Sequence, residues 1–334
     1  MGKDLLLRVF STLLAGLFTI GMVYATFLFP EILHALLSSI ITSKEIEFLM
    51  WMHWTCCGAE GYGILWLIGV IALYLLVALV VAGFVLEKTH WSSYGSFLLY
   101  LPTLSYFALI MWEFSGIGIL RVLWYPIVYI FPFLNFGYMP YYILRDFSRF
   151  IGISMDTVWM ALGAIELAFV GSGIFVFLLG TKAWLYGKRG RKDIIDFGVF
   201  KYSRHPQYLG FVLWNFGLTL MTGIVPAMRG AYVSTWFPGF ISVLLIVCVA
   251  LFEEQTMVKQ YGEEYQTYRK ETPFLLPLPS FLAKLVIGPM KLLIGKNRPT
   301  KKQEIAYIFF LYLSLYLLTA FLLYTLMHAI LWDS

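Results

Sequence analysis

GVFKYSRHPQYLG (residues 198–210) and FEEQTMVKQYGEEYQTYRKETPFLLP (residues 252–277) bracket the stretch that decides how this chain folds. Between them lie two apolar runs, Tyr208–Ala227 and Tyr232–Phe252, joined by a short turn at Met228, Arg229 and Gly230. Two apolar runs with a tight turn read as a membrane hairpin. A hairpin returns its two ends to the same membrane face, so the two polar blocks meet there. Arg204, His205, Glu253 and Glu254 stand at the ends of these runs, where ionisable groups are costly unless paired or used.

The whole chain supports a membrane setting. Its 334 residues are 60% hydrophobic and 13% charged, and the mean hydropathy is +0.79. A soluble domain is about 45–50% apolar and about 25% charged. The net charge of +5 gathers in loops beside apolar runs, where cytoplasmic loops and anionic headgroups favour it, and is no nucleic-acid signature. Cys56, Cys57 and Cys248 make neither a disulfide framework nor a metal-ligand spacing. His34, His53, His90 and His328 are scattered and read as interfacial or packing residues. The first helix follows Lys3 and Arg8 without a small-residue cleavage site, which predicts an anchor rather than a removed leader.

A span needs about 20 apolar residues. Val9–Phe29, Ile64–Leu86, Tyr94–Trp112, Thr157–Thr181 and Ile305–Trp332 fit, together with the two hairpin arms. Val122–Tyr138 is short and rich in Pro and aromatics, which predicts a tilted or re-entrant segment. The expected fold is an all-α, polytopic membrane helix bundle of about eight transmembrane helices, with a cytoplasmic C-terminal catalytic region. Residues 31–60 and the stretch 281–295, with Lys284 and Lys291 seven apart, read as segments lying on the membrane surface. Basic residues between Lys182 and Arg204 and after Phe252 predict that both polar blocks are cytoplasmic. The expected organisation is an N-terminal transmembrane scaffold (1–150), a catalytic core (151–280, with the hairpin at 208–252), and an amphipathic segment with a final span (281–334).

Pro206 disfavours α-helix at His205, so His205 sits at a bend just before a span. The free N–H groups of a helix start, with Arg204 and His205, suit an anion such as a carboxylate. Glu253 and Glu254 close the following span on the same face and suit a cation such as an α-ammonium. Acceptor and donors together describe a site for an amino-acid zwitterion. Tyr208, Tyr265 and Phe200 are candidates for an adenine ring or a sulfonium cation. The run Gly262-Glu-Glu-Tyr-x2-Tyr268 with Pro273 and Pro277 predicts a cytoplasmic helix followed by an extended lid.

These two blocks, in this order and spacing, strongly resemble the integral-membrane methyltransferases, a group that includes isoprenylcysteine carboxyl methyltransferases and phospholipid N-methyltransferases. The resemblance covers about residues 180–280. It implies S-adenosylmethionine as cofactor, held by His205, Pro206, Gln207 and Tyr208 together with Glu253. It implies that Lys192–Ile195 meets the cofactor. Phe200 stands where the family usually has a Tyr. Val249 stands where isoprenylcysteine methyltransferases carry an Arg for the substrate carboxylate, which leaves the acceptor open.

Methyl transfer from a sulfonium asks the protein mainly to align donor and nucleophile and to exclude water. No dedicated catalytic side chain is therefore named; Arg204 and Glu254 are positioning candidates. A lipophilic acceptor is expected to enter from the bilayer, past Glu166 inside its span and near Trp214. The rival readings are an NADPH-dependent sterol-type reductase and a non-enzymatic membrane scaffold or transporter with a degenerate site. Sterol reductases share Arg-His-x2-Tyr-x-Gly but usually carry a Cys-x2-Lys-Tyr-Gly pattern, whereas this chain reads Met257-Val-Lys-Gln-Tyr-Gly, and the doubled Glu favours methyl transfer.

Overall fold

The structure is a computed structural model that describes residues 2–27, 63–93, 127, 130–134, 139–190, 192–223, 236–276 and 278–331. Its described elements are helices: α1 (Gly2–Phe27), α2 (Gly63–Val85), α3 (Met139–Ile151), α4 (Met155–Arg189), a short 3-10 helix (Gly198–Lys201), α5 (Pro206–Gly223), α6 (Trp236–Glu271), α7 (Ser280–Ile294) and α8 (Lys302–Leu331). The expected spans Tyr94–Trp112 and most of Val122–Tyr138, the surface segment 31–60, and the hairpin turn at Met228–Gly230 lie outside the described residues.

Local sequence explains where the helices start and stop. Ser154 accepts the Thr157 backbone N–H at 3.3 Å, an N-cap interaction. Asp156 in the first turn of α4 and Lys188 and Arg189 in its last match the helix dipole. Pro206 opens α5, at a position where a missing N–H costs nothing. Gly295 ends α7 in the left-handed conformation, φ +69°, its N–H returning to the Lys291 carbonyl. Glu304 accepts the backbone N–H of Thr300 and of Lys301 at the start of α8.

Four described stretches are long and apolar enough to cross a membrane: Asp4–Gly21, Met155–Arg189, Gly239–Glu271 and Lys302–Leu326. The shorter apolar stretch Tyr74–Val85 belongs to α2. Helix α5, read from sequence as a hairpin arm, is 18 residues long and carries Pro206, Gln207 and Asn215; these dilute its hydropathy. Helix α6 does not end at Phe252 but runs on to Glu271 through a kink at Gly262, φ +54°. One element thus carries both the inner span and the second polar block.

The chain forms two compact units. The first contains residues 1–22, 168–216 and 243–314; the second contains 23–167, 217–242 and 315–334. In the first unit, α4 presents Gly173, Gly180 and Gly187, all buried and seven residues apart. Such a small-residue face lets backbones approach closely. A Cβ on Gly173 would lie 2.6 Å from the Trp214 backbone nitrogen, and one on Gly210 would lie 2.7 Å from the Gly173 carbonyl oxygen. One on Gly180 would meet Gln207 at 3.1 Å, and one on Gly187 would meet Ile195 at 2.8 Å. The glycine face therefore seats α5, the His205–Gln207 turn and the loop before it directly on α4. Helix α1 also packs on α4 in this unit: Phe18 stacks on Phe177, and Arg189 lies over the Phe10 ring.

The crossing predicts a sharp contrast between neighbouring glycines. Gly173→Ala forces two backbones apart and is expected to destabilise the protein by about 1–3 kcal/mol. Gly171→Ala meets nothing within 4 Å and is expected to be neutral. Thermal unfolding of both variants in detergent measures the difference; equal midpoints would show that α4 and α5 do not cross this closely.

Candidate functional site

The two polar blocks meet within the first unit, around one carboxylate. Glu254 projects from α6 and is 2% exposed. Its Oε1 lies 2.6 Å from Arg204 Nη1 and 3.4 Å from His205 Nε2. Its Oε2 lies 3.1 Å from Arg269 Nη2. The Arg204 contact is an ion pair whose direction departs from the N–H axis, because Nη1 makes no aligned hydrogen bond. Arg204 is itself 6% exposed. Burial pulls its guanidinium below the usual arginine range while the Glu254 charge pushes back. Arginine nonetheless keeps its charge in proteins.

Counting charges in this cluster is informative. Two guanidinium groups share one buried carboxylate, which leaves an excess positive charge before His205 is considered. The Nε–H groups of Arg204 and Arg269 are buried and have no acceptor. An unsatisfied buried donor costs about 1–3 kcal/mol, so a pair of them beside an uncompensated charge marks a place for an anion.

Glu253, one residue earlier, has a different partner. The Tyr208 hydroxyl donates to Glu253 Oε1 at 2.8 Å, so α5 and α6 are joined by a second, less buried pair. The His205 ring stacks near Tyr208, centroids 5.7 Å apart, and meets Phe274 edge-on at 5.2 Å. Phe274 belongs to the segment after α6. That segment is held down where the Arg204 N–H donates to the Pro273 carbonyl at 3.0 Å, and the Arg204 guanidinium lies 5.5 Å from the Phe274 ring. The stretch expected to be a lid thus crosses the His205 turn.

Sequence reading brought the right blocks together but divided the roles of their residues differently. Phe200 is 7% exposed and Tyr265 is 4% exposed, so neither offers an open aromatic face. Phe200 contributes its carbonyl, which accepts the Tyr268 hydroxyl at 2.7 Å. Gln207 is packed against Gly180. Trp214, expected beside an acceptor, is 1% exposed and is wedged at the α4–α5 crossing. Val249 is 0% exposed in the α6 core. Glu166 is half-buried on the stretch of α4 that belongs to the second unit, whereas the charge cluster is built wholly from the first. Arg269 was missed: it stands fifteen residues after Glu254, about 22 Å along a straight helix, and the kink at Gly262 brings it back. Arg298 was missed too; it donates to the Arg269 carbonyl at 3.3 Å.

Beside the cluster lies a polar cavity of about 830 Å³, a size typical of small-molecule sites. Lys192, Asp193 and Ile194 wall one side and Glu264, Tyr268 and Thr272 the other. Tyr268 and Thr272 link it to the cluster, through the Phe200 carbonyl and the adjoining Pro273.

Glu254 and Glu253 should respond differently to the same substitution. Glu254→Gln leaves the buried Arg204 and the half-buried Arg269 without their counter-charge, and breaking a buried pair this way costs about 3–5 kcal/mol. A large fall in thermal midpoint is expected for Glu254→Gln and a small one for Glu253→Gln, measured side by side in detergent. The reverse order would show that the buried network is not what holds the site together.

Comparison with known families gives a match that spans the site. Residues 167–272 match a family described as "Protein of unknown function (DUF1295)". The chain is 29% identical over 93 residues to a protein of Schizosaccharomyces pombe named Protein-S-isoprenylcysteine O-methyltransferase, covering 25% of this chain and 33% of that one. It is 31% identical over 80 residues to a protein of Crocosphaera subtropica named Methanethiol S-methyltransferase, covering 23% of this chain and 27% of that one. The chain therefore spans about a third of the length of these curated relatives or less. No solved structure matches. Four apolar helices of spanning length among the described residues, the two polar blocks around Glu254, and these partial matches support a resemblance to the membrane methyltransferase superfamily.

Proposed function

We propose that this protein transfers a methyl group from S-adenosylmethionine to a lipophilic acceptor at the cytoplasmic face of a membrane. The observation that carries the reading is the excess positive charge around Glu254. Arg204 and Arg269 keep buried Nε–H donors without an acceptor, which fits the carboxylate of an amino-acid cofactor. The Glu253 carboxylate with Tyr208 fits the ammonium. The cavity between Lys192–Ile194 and Glu264–Thr272 has room for a nucleoside. Bound there, the cofactor would supply an already activated methyl group.

The chain's own residues then have limited tasks. Arg204 and Arg269 hold the anion, Glu253 the cation, and Glu254 keeps both arginines in place. Phe274, over His205, helps keep water from the reacting centre. A carboxylate or thiolate acceptor needs no base, which agrees with a site built for positioning. Val249 in the buried α6 core supplies no cation for a substrate carboxylate, so we favour an acceptor other than a prenylcysteine carboxylate, reaching the site from the bilayer. The proposed organisation keeps residues 151–280 as the catalytic core, within a bundle of about eight spans.

S-adenosylhomocysteine should raise the melting temperature of the detergent-solubilised protein, because a ligand that binds only the native state stabilises it by mass action. Glu253→Gln removes a charge-assisted bond worth roughly 1.5–3 kcal/mol, so affinity should fall roughly tenfold or more while folding persists. A melt that moves with NADPH and not with S-adenosylhomocysteine would replace this reading with the reductase one.

A further inference from the structure

A second cavity lies outside the charge cluster, between α1 and α4. Its volume is about 450 Å³, within the range of ligand pockets. Leu179, Lys182, Ala183 and Tyr186 line it from α4 at positions i, i+3, i+4 and i+7, a single helix face. Arg8 and Ser11 line it from α1, one turn apart, and the turn Phe197–Val199 closes it. The walls are mainly apolar, yet three features are not. The Ser11 hydroxyl is completely buried and has no hydrogen-bond partner. Among the described residues Lys182 makes no ion pair. Arg8 lies beside the Tyr186 ring, its charge shared with Asp4 at the exposed start of α1.

We propose that this cavity binds an acidic phospholipid. An anionic headgroup would meet Lys182 and Arg8 and give the Ser11 hydroxyl its partner, while an acyl chain would follow the apolar face of α4. A lipid rather than a soluble anion is indicated because α1 and α4 both carry membrane-crossing stretches and the cavity is lined by Arg8 of α1 and Lys182 of α4. Cytoplasmic leaflets offer anionic headgroups at this level. The occupant would rest against Gly198, which adopts φ +61° and opens the 3-10 helix whose Phe200 carbonyl accepts Tyr268. Lipid bound here would therefore brace the turn that leads to Arg204 and His205. The site is independent of what the charge cluster binds.

The test uses the full chain in nanodiscs of phosphatidylcholine, with and without phosphatidylglycerol, reading retained lipid by native mass spectrometry and stability by melting. The wild type should retain phosphatidylglycerol selectively and melt higher in its presence. Lys182→Gln should lower that retention roughly fivefold, the usual effect of one basic residue at a membrane surface. Ser11→Leu, which fills the cavity, should abolish it. Lys301→Gln, a substitution outside the cavity, should change nothing. Equal retention of the two lipids would overturn the proposal. So would retention that falls equally in Lys182→Gln and Lys301→Gln, or a melting shift reproduced by inorganic phosphate alone. If Ser11→Leu fails to fold, the comparison of Lys182→Gln with Lys301→Gln decides the question alone.

Discussion

The interaction on which the site depends is the burial of one carboxylate between two guanidinium groups. Glu254 gathers Arg204 from the start of α5 and Arg269 from the far end of α6, and His205 approaches the same oxygen. Removing ions from water costs several kcal/mol each, repaid only by close partners. A net positive cluster of this kind is therefore a poor device for stability alone. It holds the His205 turn, the α6 extension and the Pro273–Phe274 segment in one arrangement.

The rest of the first unit serves that arrangement. The glycines of α4 bring α5 close enough for Gln207 and Trp214 to pack against backbone. Tyr268 ties the extension of α6 to the Phe200 carbonyl, and the Arg204 N–H ties the following segment to the same turn. Lys302 lies over the Phe252 ring, so the start of α8 also borders the point where α6 leaves its apolar stretch. Few of these contacts are hydrophobic in the ordinary sense. In a membrane, apolar side chains gain little by leaving lipid for protein, and close packing with buried polar contacts provides the specificity.

Much of this was legible in the sequence, for definable reasons. Apolar runs of sufficient length announced α1, α4, α6 and α8. The hairpin argument paired residues 204–208 with 253–254, and the pairs Tyr208–Glu253 and Arg204–Glu254 are what the structure contains. Which of the adjacent glutamates is buried was not legible, because neighbouring residues on a helix point about 100° apart and only the packing of α6 decides it. Arg269 was hidden because residues fifteen apart on a straight helix lie about 22 Å apart, and only the kink at Gly262 returns Arg269 to Glu254. Trp214 misled because an aromatic at a helix crossing and an aromatic at a ligand look alike in sequence. The partnership of α1 with α4 joins residues more than a hundred positions apart and carries no local signal.

Arg204 and Arg269, held by Glu254, are proposed to receive the carboxylate of an amino-acid cofactor. The most direct measurement is calorimetric titration of the wild-type protein with S-adenosylhomocysteine and with its analogue lacking the α-carboxylate. Loss of a charge-assisted interaction predicts roughly tenfold or greater weakening for the analogue. Equal affinities for the two ligands would contradict the claim and leave the buried arginines without the ligand assigned to them.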